Sequence, residues 1–228
     1  MIRRLFLEEG GKWSLTKLLP QDARWLETWV NDPATTRYMA TGRTQTTTDV
    51  LAAQIAAWKE PLDWPFAIVV EGYEDPIGTV GLYGVDWISR KAEFRILIGE
   101  IYCGKGWGTI ATRLAVRFGF ERLNLNRIWL GVTEANERAI AAYRKAGFTV
   151  EGVLYEDLYR DGVYHNSVRM GMLRADYGEE QRWVTGRVKP AATSGPGPAT
   201  AVRAAEQLTG SLSGAGVSAR TAPTQPGQ

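Results

Sequence analysis

The period of the apolar residues changes repeatedly along the chain, and each change marks an element. Trp25, Leu26 and Trp29 line one face of a helix beginning near Gln21, and Asn31, Asp32 and Pro33 break it. Val50, Leu51, Ile55 and Trp58, with Gln54 among them, predict a second amphipathic helix that ends by Glu60. Phe66 to Val70 and Ile77 to Leu82 read as a hairpin around the turn residues Gly72 to Pro76. Glu93 to Ile98 is too apolar for a loop and reads as a strand, whose alternation puts Glu93 on the face of Arg95 and Leu97. Ile110, Leu114 and Phe118 then recur at helical spacing. Arg127 to Thr133 is a strand with Ile128, Leu130 and Val132 on one face. A helix follows from Glu137 to Ala146, with Asn136 as its N-cap and Gly147 where a left-handed residue stops it. Phe148 opens another strand, and the Asp161–Gly162 turn separates two more. The order implies an α/β (α+β) fold: a mixed, mostly antiparallel sheet with helices on both faces.

Between the strand ending at Ile98 and the helix carrying Ile110 lies a run of Cys103, Gly104, Lys105, Gly106, Trp107, Gly108 and Thr109. Glycine at every second position lets backbone N–H groups converge on an anion, and the helix N-terminus behind them adds favourable partial charge. By itself such a loop also serves merely to turn a strand into a helix. Two specific phosphate motifs do not fit. A Walker loop needs four residues between its glycine and Gly-Lys-Ser/Thr, and a dinucleotide fingerprint needs its third glycine one residue later than Gly108.

With the downstream helix added, the chain resembles the GNAT superfamily of acyl-CoA-dependent N-acyltransferases. The resemblance rests on Gly104 to Thr109 and on Asn136 to Phe148, in that order. Trp29 to Pro33, Lys91 to Phe94 and Asp161 to His165 point to the branch holding the Rim-type ribosomal-protein acetyltransferases and spermidine acetyltransferase. It covers about residues 13 to 176 and implies a six- to seven-stranded sheet of the GNAT type. It also implies acetyl-CoA as co-substrate and transfer of its acetyl group to a primary amine by direct attack on the thioester.

On the same footing, the pyrophosphate would be held by backbone N–H groups from Cys103 through Thr109. The pantetheine arm and acetyl group would meet backbone at Ile96, Leu97 and Ile98, and Asn136 would touch the cofactor. Tyr143 matches the family tyrosine that protonates the departing thiolate. Glu93 is a candidate to accept the amine proton, with a structural salt bridge to Arg95 or Arg90 as the alternative. The family commonly carries Arg or Gln where Cys103 stands; the amide there would still serve.

Composition sets the remaining bounds. The 228 residues are 44% hydrophobic and include nine Trp, enough for a substantial core. From Val184 to Gln228 Ala, Gly, Ser, Thr and Pro dominate, which predicts a disordered tail. The expected organisation is therefore a lead-in of residues 1–12, a catalytic domain of 13–183 and a tail of 184–228. A net charge of +2 without a basic run argues against nucleic acid as a partner, and no apolar stretch is long enough for a membrane helix. One Cys and one His leave no basis for a structural metal site. These features suit a cytoplasmic enzyme, as a monomer or a homodimer. The acceptor stays open among a protein N-terminus, a polyamine and an aminated small molecule. A polyamine pocket should be acidic, but between Gln21 and Glu60 five acids meet four bases, which leans against spermidine. A non-catalytic acyl-CoA or nucleotide sensor is the alternative function.

Overall fold

The computed structural model describes residues 5–9, 13–39 and 45–177. Eight strands form one sheet in the order β1-β2-β3-β4-β5-β6-β8-β7. They are β1 (Leu5–Glu9), β2 (Trp13–Lys17), β3 (Trp64–Val70), β4 (Gly78–Asp86), β5 (Lys91–Ile98), β6 (Arg127–Thr133), β7 (Thr149–Arg160) and β8 (Val163–Leu173). Every neighbouring pair is antiparallel except β5 and β6. The mixed, mostly antiparallel sheet is thus as expected, but it has eight strands rather than six or seven. The N-terminal hairpin β1–β2 carries no alternation strong enough to be read from sequence. It also draws residues 5–9 out of the expected lead-in and into the sheet. The region from Val184 onward lies outside the described residues.

Among the described residues, α1 (Ala23–Val30), α2 (Pro33–Thr36), α3 (Thr48–Ala57), α4 (Trp107–Arg117) and α5 (Glu137–Ala146) flank the sheet. Their ends follow local chemistry. The Asp32 carboxylate accepts from Ala34 N and Thr35 N, each at 3.1 Å, so the break at Pro33 starts a new helix. Asn136 Oδ1 accepts from Ala139 N at 3.1 Å, and Gly147 closes α5 at φ 104°.

Alternation divides the core into two layers. Phe94, Ile128, Leu130 and Met170 pack with Ala111 and Leu114 of α4 and Ile140 of α5. On the other face Ala67 and Leu97 meet Leu26 of α1 and Leu51 and Ile55 of α3. The helices therefore sandwich the sheet, and β5 contributes to both layers. No helix among the described residues is long and apolar enough to cross a membrane.

Candidate active site

The single parallel contact creates the site. β5 and β6 pair only at Lys91–Arg127, Ala92–Ile128 and Glu93–Trp129, although β5 runs on to Ile98 and β6 to Thr133. Beyond Glu93 the two strands part, leaving a notch in the middle of the sheet with backbone groups lining its walls.

Backbone phase decides which groups these are. Arg90 O accepts from Asn126 N and Arg127 N on the β6 side, whereas Gly99 N donates to Ile77 O beside β4. Alternation between those two points turns the N–H and C=O of Ile96 and Ile98 into the notch and those of Leu97 toward β4. The close approach at Gly78 agrees: a Cβ built there would stand 2.1 Å from Leu97 O. The expected backbone contact at Leu97 is therefore corrected. Leu97 pairs with Thr79 and sends its side chain to the α1–α3 layer.

The glycine loop lies at the mouth of the notch. Gly104 and Gly106 take left-handed φ of 78° and 84°, and the chain enters α4 with Gly106 as an N-cap that offers no side chain. Cys103 N donates to Glu100 O at 3.0 Å and Thr109 N to Gly106 O at 3.1 Å. These two amides are spent within the loop, which narrows the expected cradle of Cys103 through Thr109. The N–H groups of Gly104, Lys105, Gly106, Trp107 and Gly108 find no acceptor among the described residues. Five consecutive free donors at a helix N-terminus suit a diphosphate.

An aromatic cluster steadies this loop. The Trp107 ring lies 5.5 Å from Trp13, 5.2 Å from Tyr73 and 5.8 Å from Tyr102, and Tyr102 continues to Trp29 at 5.4 Å. The Lys105 ammonium sits 4.8 Å above the Trp107 ring. Trp107 lies within the glycine run, whereas Trp13, Trp29 and Tyr73 are distant in sequence and leave no local signal of this cluster. The Cys103 thiol is pushed up chiefly by burial, which favours the unreactive protonated form.

The far wall is α5. Tyr143 packs edge-on against Phe94 (5.9 Å) near the base of the notch and against Phe148 (6.1 Å). Its side chain is partly buried against the core, and desolvation raises its pKa well above the usual phenol value. Tyr143 therefore holds its proton at any working pH. Asn136 uses Oδ1 as a cap and keeps its carboxamide N–H groups for another acceptor.

Glu93 lies at the last paired position before the strands part, with Oε2 bound to Arg95 Nη2 at 2.7 Å. The salt bridge weighed as its alternative role is present; its second oxygen has no described partner. Two further acidic groups lie near the notch, of which Glu100, with Asp86, is an outside candidate from the sequence for the role of Glu93. Glu134, just past β6, accepts from Asn166 Nδ2 at 2.9 Å. Glu100 holds Arg138 in a two-pronged ion pair at 2.8 and 2.7 Å, and that guanidinium keeps its carboxyl below the usual range. Neither pairing leaves a trace in local sequence, since the partners are 32 and 38 residues apart.

The sheet is thus split between β5 and β6, with a turn of unpaired amides at its mouth and a partly buried tyrosine on one wall. Residues 14–149 match the acetyltransferase (GNAT) domain, and the chain belongs to that family. Spermidine N(1)-acetyltransferase of Escherichia coli (strain K12) is 41% identical over 114 residues, covering 50% of this chain and 61% of that protein. The Vibrio cholerae serotype O1 spermidine N(1)-acetyltransferase is 34% identical over 110 residues, covering 48% and 64%. The matched stretch thus spans less than two thirds of either relative. Among solved structures, spermidine N-acetyltransferase from Vibrio cholerae in complex with CoA and spermine superposes with a TM-score of 0.68 at 26% identity. That match covers 74% of this chain and 99% of the other.

Proposed function

We propose that this protein transfers the acetyl group of acetyl-CoA to a primary amine, and that the amine is a linear polyamine. The observation that carries the reading is the notch itself: backbone at Ile96 and Ile98 that β6 leaves unpaired, with Ile98 O accepting from the Cys103 thiol at 3.9 Å, leads from five unpaired amides at Gly104–Gly108 toward Tyr143. The amides accommodate the pyrophosphate of the co-substrate, and the strand edge accommodates its amide-bearing arm. Tyr143 donates a hydrogen bond to the sulfur as negative charge develops there. With its pKa raised it is a weak acid, so it stabilises the leaving thiolate more than it surrenders its proton early.

The polyamine assignment is supported by the relatives' names and by the acids around the notch. Residues 21–60 are nearly charge-balanced, but Glu93 on β5 and Glu134 just past β6 come from the two strands that part. Asn166 of β8 holds the Glu134 carboxylate, donating to it at 2.9 Å. The free oxygen of Glu93 faces no competing described partner and serves as the acceptor for the amine proton. Use of acetyl-CoA fits the cytoplasm as the place of action.

Calorimetric titration with acetyl-CoA, with NAD as control, tests the first half. Saturable binding of acetyl-CoA alone, about −8 kcal/mol if the Kd is near 1 μM, is expected. Free-thiol release with spermidine, spermine and peptides bearing free N-termini tests the second. Preference for NAD would overturn the acyltransferase reading, and turnover of peptides alone would overturn the polyamine.

A further inference from the structure

The notch has two walls, and one ion pair spans them. On one side Glu100 follows β5 and is tied to α2: its N–H donates to Thr35 Oγ1 at 3.0 Å, and that hydroxyl donates to Asp32 at 2.6 Å. On the other side Arg138 occupies the first turn of α5, five residues before Tyr143. The two side chains meet in a two-pronged pair at 2.8 and 2.7 Å and remain about half exposed. They line a polar cleft of about 250 Å³ together with Arg37, Tyr38 and Asn136. α2 follows α1 on the Leu97 face of the sheet, while α5 packs on the Phe94 face. The pair therefore joins the two layers across the gap that separates β5 from β6.

We propose that Glu100 and Arg138 are positioning residues, a clasp that sets the width of the notch. This inference rests on the acyltransferase reading. At the base, Phe94 and Tyr143 hold the walls together by ring contact; at the mouth the clasp does so by charge. Between them lie the backbone of Ile96 and Ile98 on one wall and Asn136 on the other. Fixing both ends of α5 against β5 keeps Tyr143 at a constant distance from the strand along which the thioester would lie. Misplacement by a fraction of an ångström is enough to weaken such an arrangement. A direct role for Arg138 as a phosphate ligand is the competing explanation, because Arg37 shares the cleft with it, although Glu100 and Glu137 line the cleft too. The geometry favours the clasp, since both prongs of the guanidinium are already taken up by Glu100 and the backbone amides supply the anion site.

Glu100→Gln, Arg138→Gln and the double variant distinguish these roles in the full chain. For an exposed two-pronged pair, each single variant is expected to weaken acetyl-CoA binding by about 3- to 5-fold in calorimetry, with the double no worse than either. In the protein without acetyl-CoA, hydrogen exchange at the first-turn amides of α5 should accelerate by a similar factor in all three. Loss confined to Arg138→Gln would overturn the clasp in favour of direct phosphate contact. Additive losses, or exchange and affinity unchanged in every variant, would overturn it as well. Because the exchange measurement needs no acetyl-CoA, a failure of the acyltransferase reading would be seen separately.

Discussion

Replacing Gly106 with alanine isolates the phosphate turn from the rest of the molecule. Gly106 has φ 84°, a conformation that costs an L-residue roughly 1–2 kcal/mol. A Cβ built there meets nothing within 4 Å, so the substitution brings no clash inside the protein. Two effects remain. The free loop relaxes toward negative φ and must be driven back on binding, and the new methyl stands in the space through which an anion reaches the amides of Gly104–Gly108. The first effect alone predicts a loss of about 5- to 30-fold in acetyl-CoA affinity; the second adds to it. Gly84→Ala is the control, because Gly84 also has positive φ (57°), also meets nothing within 4 Å, and lies in β4 away from the loop. Both variants should lose a little thermal stability, while only Gly106→Ala should lose affinity by calorimetry. Equal affinity of Gly106→Ala and the parent protein would refute the placement of the pyrophosphate.

Three other outcomes follow from the geometry. Tyr143→Phe should lower kcat by about 100-fold while leaving the acetyl-CoA Kd unchanged. Because burial raises the Tyr143 pKa, its neutral form persists from neutral pH past the ordinary phenol range, so no alkaline fall in rate up to about pH 10 should trace to it. Unaltered turnover of Tyr143→Phe across that range would remove the acid role. Asn136→Ala deletes the cap that accepts from Ala139 N and should cost about 1 kcal/mol in urea denaturation. It should also weaken acetyl-CoA binding if the carboxamide N–H groups contact the arm. Gly78→Ala would place a Cβ 2.1 Å from the main-chain oxygen of Leu97, so β4 and β5 must move apart. A loss of about 1–3 kcal/mol and a Tm lower by several degrees are expected, and an unchanged Tm would contradict the register.

Much of this architecture was legible in the chain because its signals are local. The helix from Asn136 to Gly147 was read to the residue, since a side-chain cap and a left-handed stop act within one turn of the groups they satisfy. The strand Arg127–Thr133 and the turn at Asp161–Gly162 were equally clear, from alternation and from two residues suited to positive φ. The alternating glycines announced a turn that frees backbone donors. The strand β2 is not legible in the sequence, because its place in the sheet depends on pairing with the distant strand β3, and β1 joins the sheet only through β2.

What tertiary structure alone decided is which local features act together. Sequence alternation puts Leu97 between Ile96 and Ile98, but only the sheet shows that its backbone is consumed by β4 while theirs faces the notch. The motif put Cys103 and Thr109 in the cradle, yet their amides close the loop on itself. Glu93 carried two possible roles in sequence, and its neighbour Arg95 took one of its oxygens. The aromatic support beneath the loop and the Glu100–Arg138 pair join residues separated by up to 94 and by 38 positions (Trp107 − Trp13; Arg138 − Glu100). Propensity and capping are properties of a few adjacent residues, so one chain displays them openly. Pairing phase, the parting of two strands and charge across a gap arise only when distant segments share space, and the candidate site is built from those.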